Sequence, residues 1–158
     1  MTQDNTKDKV EVRREYYSSG ALSRETPYVN GAKHGIEQNY YESGALCYEI
    51  IYVNGKEHGI EKNYYESGAL EWKIPYSDGK RHGIEKWYFE TGPLQYETLR
   101  WEIPYVNGNM HGIARFYYAS GALRRETPYV TGRMHGIERE YNKDTSKYRP
   151  LNTLQKRS

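Results

Sequence analysis

Five histidines, one cysteine and a set of recurring glutamates are the residues of this 158-residue chain that could do chemistry. His34, His58, His82, His111 and His135 invite a zinc or acid–base reading, Cys47 a nucleophile, and Glu37, Glu61, Glu85 and Glu138 a carboxylate pair. Their spacing argues against all three. Each histidine holds the same offset in a repeated unit, so copies in stacked hairpins fall about 10 Å apart, two strand spacings of about 4.8 Å. Zinc needs several nitrogens about 2.0 Å from one ion. Cys47 stands where Ser23, Glu71 and Arg124 stand in other copies, with no special histidine beside it to stabilise a thiolate. The glutamates read as a solvated row. Neither a nucleophile motif nor a phosphate loop appears, so no catalytic residue, metal or cofactor is expected.

The elements that position these residues follow from a repeat. Tyr-Tyr-x-Ser-Gly-Ala-Leu occurs at Tyr16 to Leu22, Tyr40 to Leu46, Tyr64 to Leu70 and Tyr117 to Leu123, with a variant from Tyr88 to Leu94, and its glycines are spaced 24, 24, 24 and 29 residues apart. Between the copies lies Asn-Gly-x-x-His-Gly-Ile, at Asn30 to Ile36, Asn54 to Ile60 and Asn107 to Ile113, with variants at Asp78 to Ile84 and Thr131 to Ile137. Asn-Gly predicts a type I′ hairpin turn, whose two central residues need positive φ. Glu-Ser-Gly-Ala predicts a type I turn closed by glycine as a G1 bulge. Two turns per repeat leave an antiparallel meander of about 11 strands with lengths of about six to eight residues.

Composition agrees with an unusual architecture. Val, Ile, Leu and Phe fill only 25 positions, too few for a layered aliphatic core, whereas 18 tyrosines and a net charge of only +2 argue against disorder. No apolar run exceeds Ile50 to Val53, so no membrane-spanning helix is expected. The polar first 15 residues show no signal peptide, and a lone cysteine fits a reducing compartment, so a cytoplasmic location is expected. Residues 141–158 carry a net charge of +4, leaving −2 on the rest. The chain thus divides into a polar segment 1–15, a repeat array 16–141 and a basic tail 142–158.

A three-residue loop at Gly44 predicts that Tyr40 faces Leu46, Gln38 faces Tyr48 and Ile36 faces Ile50. One sheet face then carries uniform ladders of Ile, Tyr and Leu, with Lys62 facing Trp72 and Lys86 facing Tyr96. The other face varies between copies. Pro27, Pro75, Pro104 and Pro128 predict a bulge or break in the strand that carries them, because proline cannot donate to a ladder. Such breaks imply a twisted, elongated single-layer ribbon about 50 Å long, not a closed barrel. Five residues near Leu94 look duplicated, which predicts either a tolerated protruding loop or a partner-contacting ridge containing Leu99, Arg100 and Trp101.

These paired units resemble the MORN repeat, and more closely its bacterial variant found in YwqK-type antitoxins; the resemblance covers Tyr16 to Tyr141. It implies stacked β-hairpins and a non-catalytic interaction role, which in some bacterial members is neutralisation of a toxin. The varied face supplies the candidate partner-binding residues Trp87, Phe89, Phe116 and Tyr118, joined by Leu99, Arg100 and Trp101 of the insertion, because aromatic anchors dominate many protein interfaces. A toxin or other effector protein is the expected partner. Nucleic acid is the alternative, with tyrosines stacking bases and Lys62, Lys86, Arg115, Arg139 and the tail contacting phosphates; interleaved glutamates weaken it. Membrane attachment would rest on the tail alone.

Overall fold

Turn residues and alternation generate the whole architecture. The structure, a computed structural model, describes residues 8–90 and 97–143. Among the described residues fifteen strand segments form one open antiparallel sheet. They are β1 (Val10–Tyr16), β2 (Leu22–Val29), β3 (Ala32–Lys33), β4 (Gly35–Tyr40), β5 (Leu46–Val53), β6 (Lys56–Tyr64), β7 (Leu70–Ser77), β8 (Lys80–Arg81), β9 (Gly83–Tyr88), β10 (Leu99–Val106), β11 (Asn109–Met110), β12 (Gly112–Tyr117), β13 (Leu123–Val130), β14 (Arg133–Met134) and β15 (Arg139–Glu140). Their order in the sheet is β1-β2-β4-β5-β6-β7-β9-β10-β12-β13-β14, with the short β3, β8, β11 and β15 pairing β2, β7, β10 and β13.

Both turns form as their residues demand. Asn30, Asn54, Asp78, Asn107 and Thr131 all adopt φ of 50–51°, each followed by a positive-φ glycine. At the other end of the hairpin, Tyr41 N–H donates to the Ala45 carbonyl and Gly44 N–H to the Tyr41 carbonyl. Thr131 is the misfit, since a β-branched residue resists this conformation and asparagine tolerates it. Thr131→Asn should stabilise the protein by about 1 kcal/mol, read as a raised denaturant midpoint at unchanged slope.

The proline effect falls one strand later than predicted. Pro27, Pro75, Pro104 and Pro128 sit inside β2, β7, β10 and β13, and it is the following strand that breaks, at His34, His82, His111 and His135. The histidine N–H donates to the proline carbonyl at each break. Where Ile51 replaces proline, it pairs with His58 and β6 runs unbroken from Lys56 to Tyr64. Counting each broken pair of segments as one strand gives the predicted meander of 11.

The register also differs. Tyr40 faces Leu46 as expected, but Asn39 then faces Tyr48, so Cys47 is an extra, bulged residue and Ile36 faces Ile51. Ser23, Glu71, Arg100 and Arg124 occupy the same bulge in the other hairpins. A one-residue slip moves every side chain beyond it to the opposite face. Trp72 therefore faces Asn63, and Lys62 faces Lys73; Lys86 faces Lys73 and Glu102, while Tyr96 lies outside the described residues.

Burial distinguishes two faces. The inner one holds the fully buried Ile50 and the buried Thr26, Glu37, Ile74, Glu85, Ala114 and Thr127. Glu37 and Glu85 are only 5% and 6% exposed, so these two members of the expected solvated row are buried, while Glu61 is half-buried and Glu138 exposed. Each of the buried two is satisfied internally: Glu37 accepts from Thr26 Oγ1 at 2.8 Å and pairs with Lys33 at 2.6 Å, and Glu85 accepts from Trp87 Nε1 and Arg81. On the outer face Ile36, Ile60, Ile84, Ile113 and Ile137 stay exposed beside a row of paired charges.

That charge row links stability to pH. Burial raises the Glu49 carboxyl, but hydrogen bonds from Lys62 and Tyr64 outweigh it and hold the pKa below its ordinary 4.5. A carboxyl depressed in the folded state stabilises it above its unfolded value, and that contribution disappears as pH falls through the folded value. Denaturation followed from pH 6 to pH 3 should show stability declining below about pH 4.5, with a smaller decline in Lys62→Met.

Candidate partner-binding surface

The bulges align one side chain per strand into a continuous inner-face row. Glu15 and Arg24 open it and Arg125 and Glu140 close it; between them run Asn39, Tyr48, Asn63, Trp72, Trp87, Trp101 and Phe116. Tyr48 meets Trp72 edge-on at 6.2 Å, Trp72 and Trp87 are tilted at 5.6 Å, and Trp87 stacks on Trp101 at 4.9 Å. These separations fall in the range where aromatic pairs attract. The Arg125 guanidinium lies 4.2 Å from the Phe116 ring centroid, and Arg24 is ion-paired to Glu15.

A second row explains how the surface opens. The hydroxyls of Tyr17, Tyr41, Tyr65 and Tyr118 donate to the carbonyls of Tyr40, Tyr64, Tyr88 and Tyr141, tying each repeat to the next. Phe89 occupies this position in the repeat that carries the insertion, and it has no hydroxyl to form the tie. At that seam lies an open groove of about 560 Å³, lined by Glu85, Phe89, Arg100, Trp101, Ile103, Phe116, Tyr117 and Arg124. The Arg100 guanidinium lies 4.7 Å from the Trp101 ring and 5.6 Å from the Phe89 ring. Half-exposed rings flanked by two cations suit an inserted aromatic or aliphatic side chain with an acidic neighbour.

Comparison with known protein families matches residues 12–30, 33–54, 57–78, 81–101 and 110–131 to the MORN repeat variant. The chain belongs to that family. Comparison with curated proteins finds no match. MORN repeats are in general non-enzymatic modules that bind proteins or membranes.

Within this MORN array the structure gathers some of the sequence-predicted residues and separates others. Phe89, Arg100, Trp101 and Phe116 line one groove. Trp87 lies beside it, locked between Trp72 and Trp101 with Nε1 bound to Glu85, so it builds the surface. Tyr118 flanks it with the hydroxyl occupied and Arg124 over its ring. Leu99 faces Tyr88 and stands away from the groove lining. Nor do Leu99, Arg100 and Trp101 form a protruding ridge: they begin β10, an interior strand paired on both sides, because Leu99-Arg100-Trp101-Glu102-Ile103-Pro104-Tyr105 takes the place that Leu70-Glu71-Trp72-Lys73-Ile74-Pro75-Tyr76 takes in β7. The extra residues fall in the connection between Tyr88 and Leu99, of which 91–96 lie outside the described residues.

Sequence reasoning missed Tyr48, Trp72 and Arg124. The available signal was that Tyr48, Trp72 and Trp101 share one offset after the hairpin leucine, and the unrecognised bulge placed the first two on the wrong face. Cys47 occupies a bulge position, where burial raises its thiol pKa, the opposite of what a nucleophile needs. His34 Nδ1 lies 3.3 Å from Asn54 Oδ1 of the next turn. Among the described residues no three His, Cys, Asp or Glu side chains converge as metal ligands do.

Proposed function

We propose that this chain is a cytoplasmic, non-catalytic scaffold that binds a toxin or other effector protein on its inner face and inhibits it by covering its working surface. The observation that carries the reading is the groove at the seam where Phe89 replaces the tethering tyrosine, with Arg100, Trp101 and Phe116 around it. A half-exposed aromatic centre that a partner can bury, with a polar rim around it, is the anatomy of a protein-binding hot spot. The tryptophan stack holds this centre rigid before binding, which lowers the ordering cost.

The placement of the cations supports this reading over nucleic-acid binding. Lys62, Lys86 and Arg115 lie on the outer face with carboxylate partners, Glu49 for the first and Glu102 for the other two. Arg139 faces Glu126 in the same charge row. A strand stacked on the inner rings could not reach these cations. The test is affinity capture from native host cytosol at moderate salt with nuclease, followed by titration of the captured protein. Phe89→Ala with Phe116→Ala should weaken binding by about 30-fold or more, the loss of one hot-spot contact of about 2 kcal/mol, while near-ultraviolet circular dichroism of the tryptophan stack is retained. Unchanged affinity removes the groove from the interface; capture that depends on omitting nuclease and falls steeply with salt moves the function to nucleic acid.

A further inference from the structure

One repeat breaks the charge pattern of the outer face. At a single repeat offset stand Glu25, Glu49, Lys73, Glu102 and Glu126. Three of the glutamates bind the tyrosine of the next repeat, accepting from the hydroxyls of Tyr64, Tyr117 and Tyr141. They also bind the facing cations, Lys62 for Glu49 and Arg115 for both Glu102 and Glu126. Lys73 reverses the sign of this position. It faces Lys62 on one strand and Lys86 on the other, so three ammonium groups lie on adjacent strands. Like charges directly opposite each other destabilise a sheet. Among the described residues Lys73 makes no ion pair; its contact is the Tyr88 ring, 5.6 Å away.

We infer that the Lys62, Lys73 and Lys86 cluster is a second docking site, which receives an acidic side chain from an extended segment of a protein partner. The incoming carboxylate supplies the negative charge that Glu49, Glu102 and Glu126 supply in their own repeats. Two residues along the same strands lie the exposed Ile60, which faces Pro75, and the exposed Ile84, which faces Pro104. The segment that fits thus carries an apolar side chain about 7 Å from its carboxylate, the reach of two extended residues. Charge complementarity favours a protein segment over an anionic membrane. Glu49 and Glu102 close the cluster at both ends, so a localised carboxylate fits between them while a plane of negative headgroups would meet both.

The site lies on the opposite face from the aromatic groove and stands or falls independently of it. The probe is a five-residue peptide with leucine at its second position, glutamate at its fourth and threonine elsewhere, so that leucine and glutamate share one face when extended; it is blocked at both ends, titrated calorimetrically into the full chain and compared with the same peptide carrying glutamine at the fourth position. The wild-type protein should bind the glutamate peptide about ten-fold more tightly than the glutamine peptide, as expected for one charge-assisted contact. Lys73→Gln should remove that preference. Lys73→Glu should remove it too and raise the melting temperature by about 2 °C, because it restores the alternating charges. Equal affinity for the two peptides, unchanged preference in Lys73→Gln, or binding to phosphatidylserine vesicles through Lys73 without peptide binding would overturn the inference.

Discussion

Gly83→Ala should destabilise the protein by about 3 kcal/mol, summing backbone strain of about 1–3 kcal/mol and overpacking of about 1–3 kcal/mol. Gly83 has φ of +118°, and a Cβ built there would stand 2.8 Å from Pro75 Cγ and 3.3 Å from Pro75 Cβ. The proline ring is held in β7 and cannot rotate away. This close approach follows from the broken strand: His82 N–H donates to the Pro75 carbonyl, which draws the chain at Gly83 onto the ring. Gly20→Ala is the control, because Gly20 has φ of +88° with nothing within 4 Å of the built Cβ, and it should cost only the backbone part, about 1 kcal/mol. In the copy without proline, the neighbour of Gly59 is the flexible Cδ1 of Ile51 at 3.0 Å. Pro75→Ile combined with Gly83→Ala should therefore cost less than the two single changes added, a coupling that denaturant unfolding of all four proteins measures directly. Strict additivity would mean that the ring is not what excludes a side chain.

The turns were legible in the sequence because each has a residue that only that turn requires. Asn30-Gly31 and its equivalents named the hairpins, and alternation between turns named the strands and the single antiparallel sheet. What alternation could not carry through was the bulge. Leu46, Cys47 and Tyr48 give no local sign that one of them drops out of register, since the bulge position holds serine, cysteine, glutamate and arginine in different hairpins. The consequence was an inverted face for everything beyond it. Glu37 and Glu85 seemed solvated because a carboxylate recurring in a polar chain usually is; their burial depends on Lys33 and Arg81, four residues earlier across the strand break. The insertion was misplaced for a related reason. Two segments, around Leu94 and at Leu99, both resemble the hairpin leucine, and the second has the tryptophan that stacks on Trp87. Of the predicted partner-binding residues, Phe89, Arg100, Trp101 and Phe116 meet because they flank one seam, whereas Leu99 precedes the bulge and falls on the other face.

Ile50 and Ile51 turn that register into a measurement. Ile50 is 0% exposed and faces the buried Glu37, while Ile51 is 37% exposed and faces Ile36 on the outer side. Ile50→Ala should cost about 2–5 kcal/mol, the range for truncating a buried isoleucine whose surroundings relax only in part. Ile51→Ala should cost less than about 1 kcal/mol, in line with its partial exposure. The register without a bulge predicts the opposite pairing, with Ile50 beside Ile36 on the outer face, so these neighbouring substitutions distinguish the two sheets. The larger loss also has a predictable spread. In a repeat array each unit is stabilised chiefly by its neighbours, and Ile50 lies in β5, two strands from Trp72 in β7 and further from Trp87 and Trp101 in β9 and β10. Loss of Ile50 should therefore open amide exchange in β2, β4 and β5 at lower denaturant than it perturbs tryptophan fluorescence. Coincident transitions would instead show that the stacked rings bind both halves into one cooperative unit, and the aromatic row would then hold the sheet together as well as present its surface.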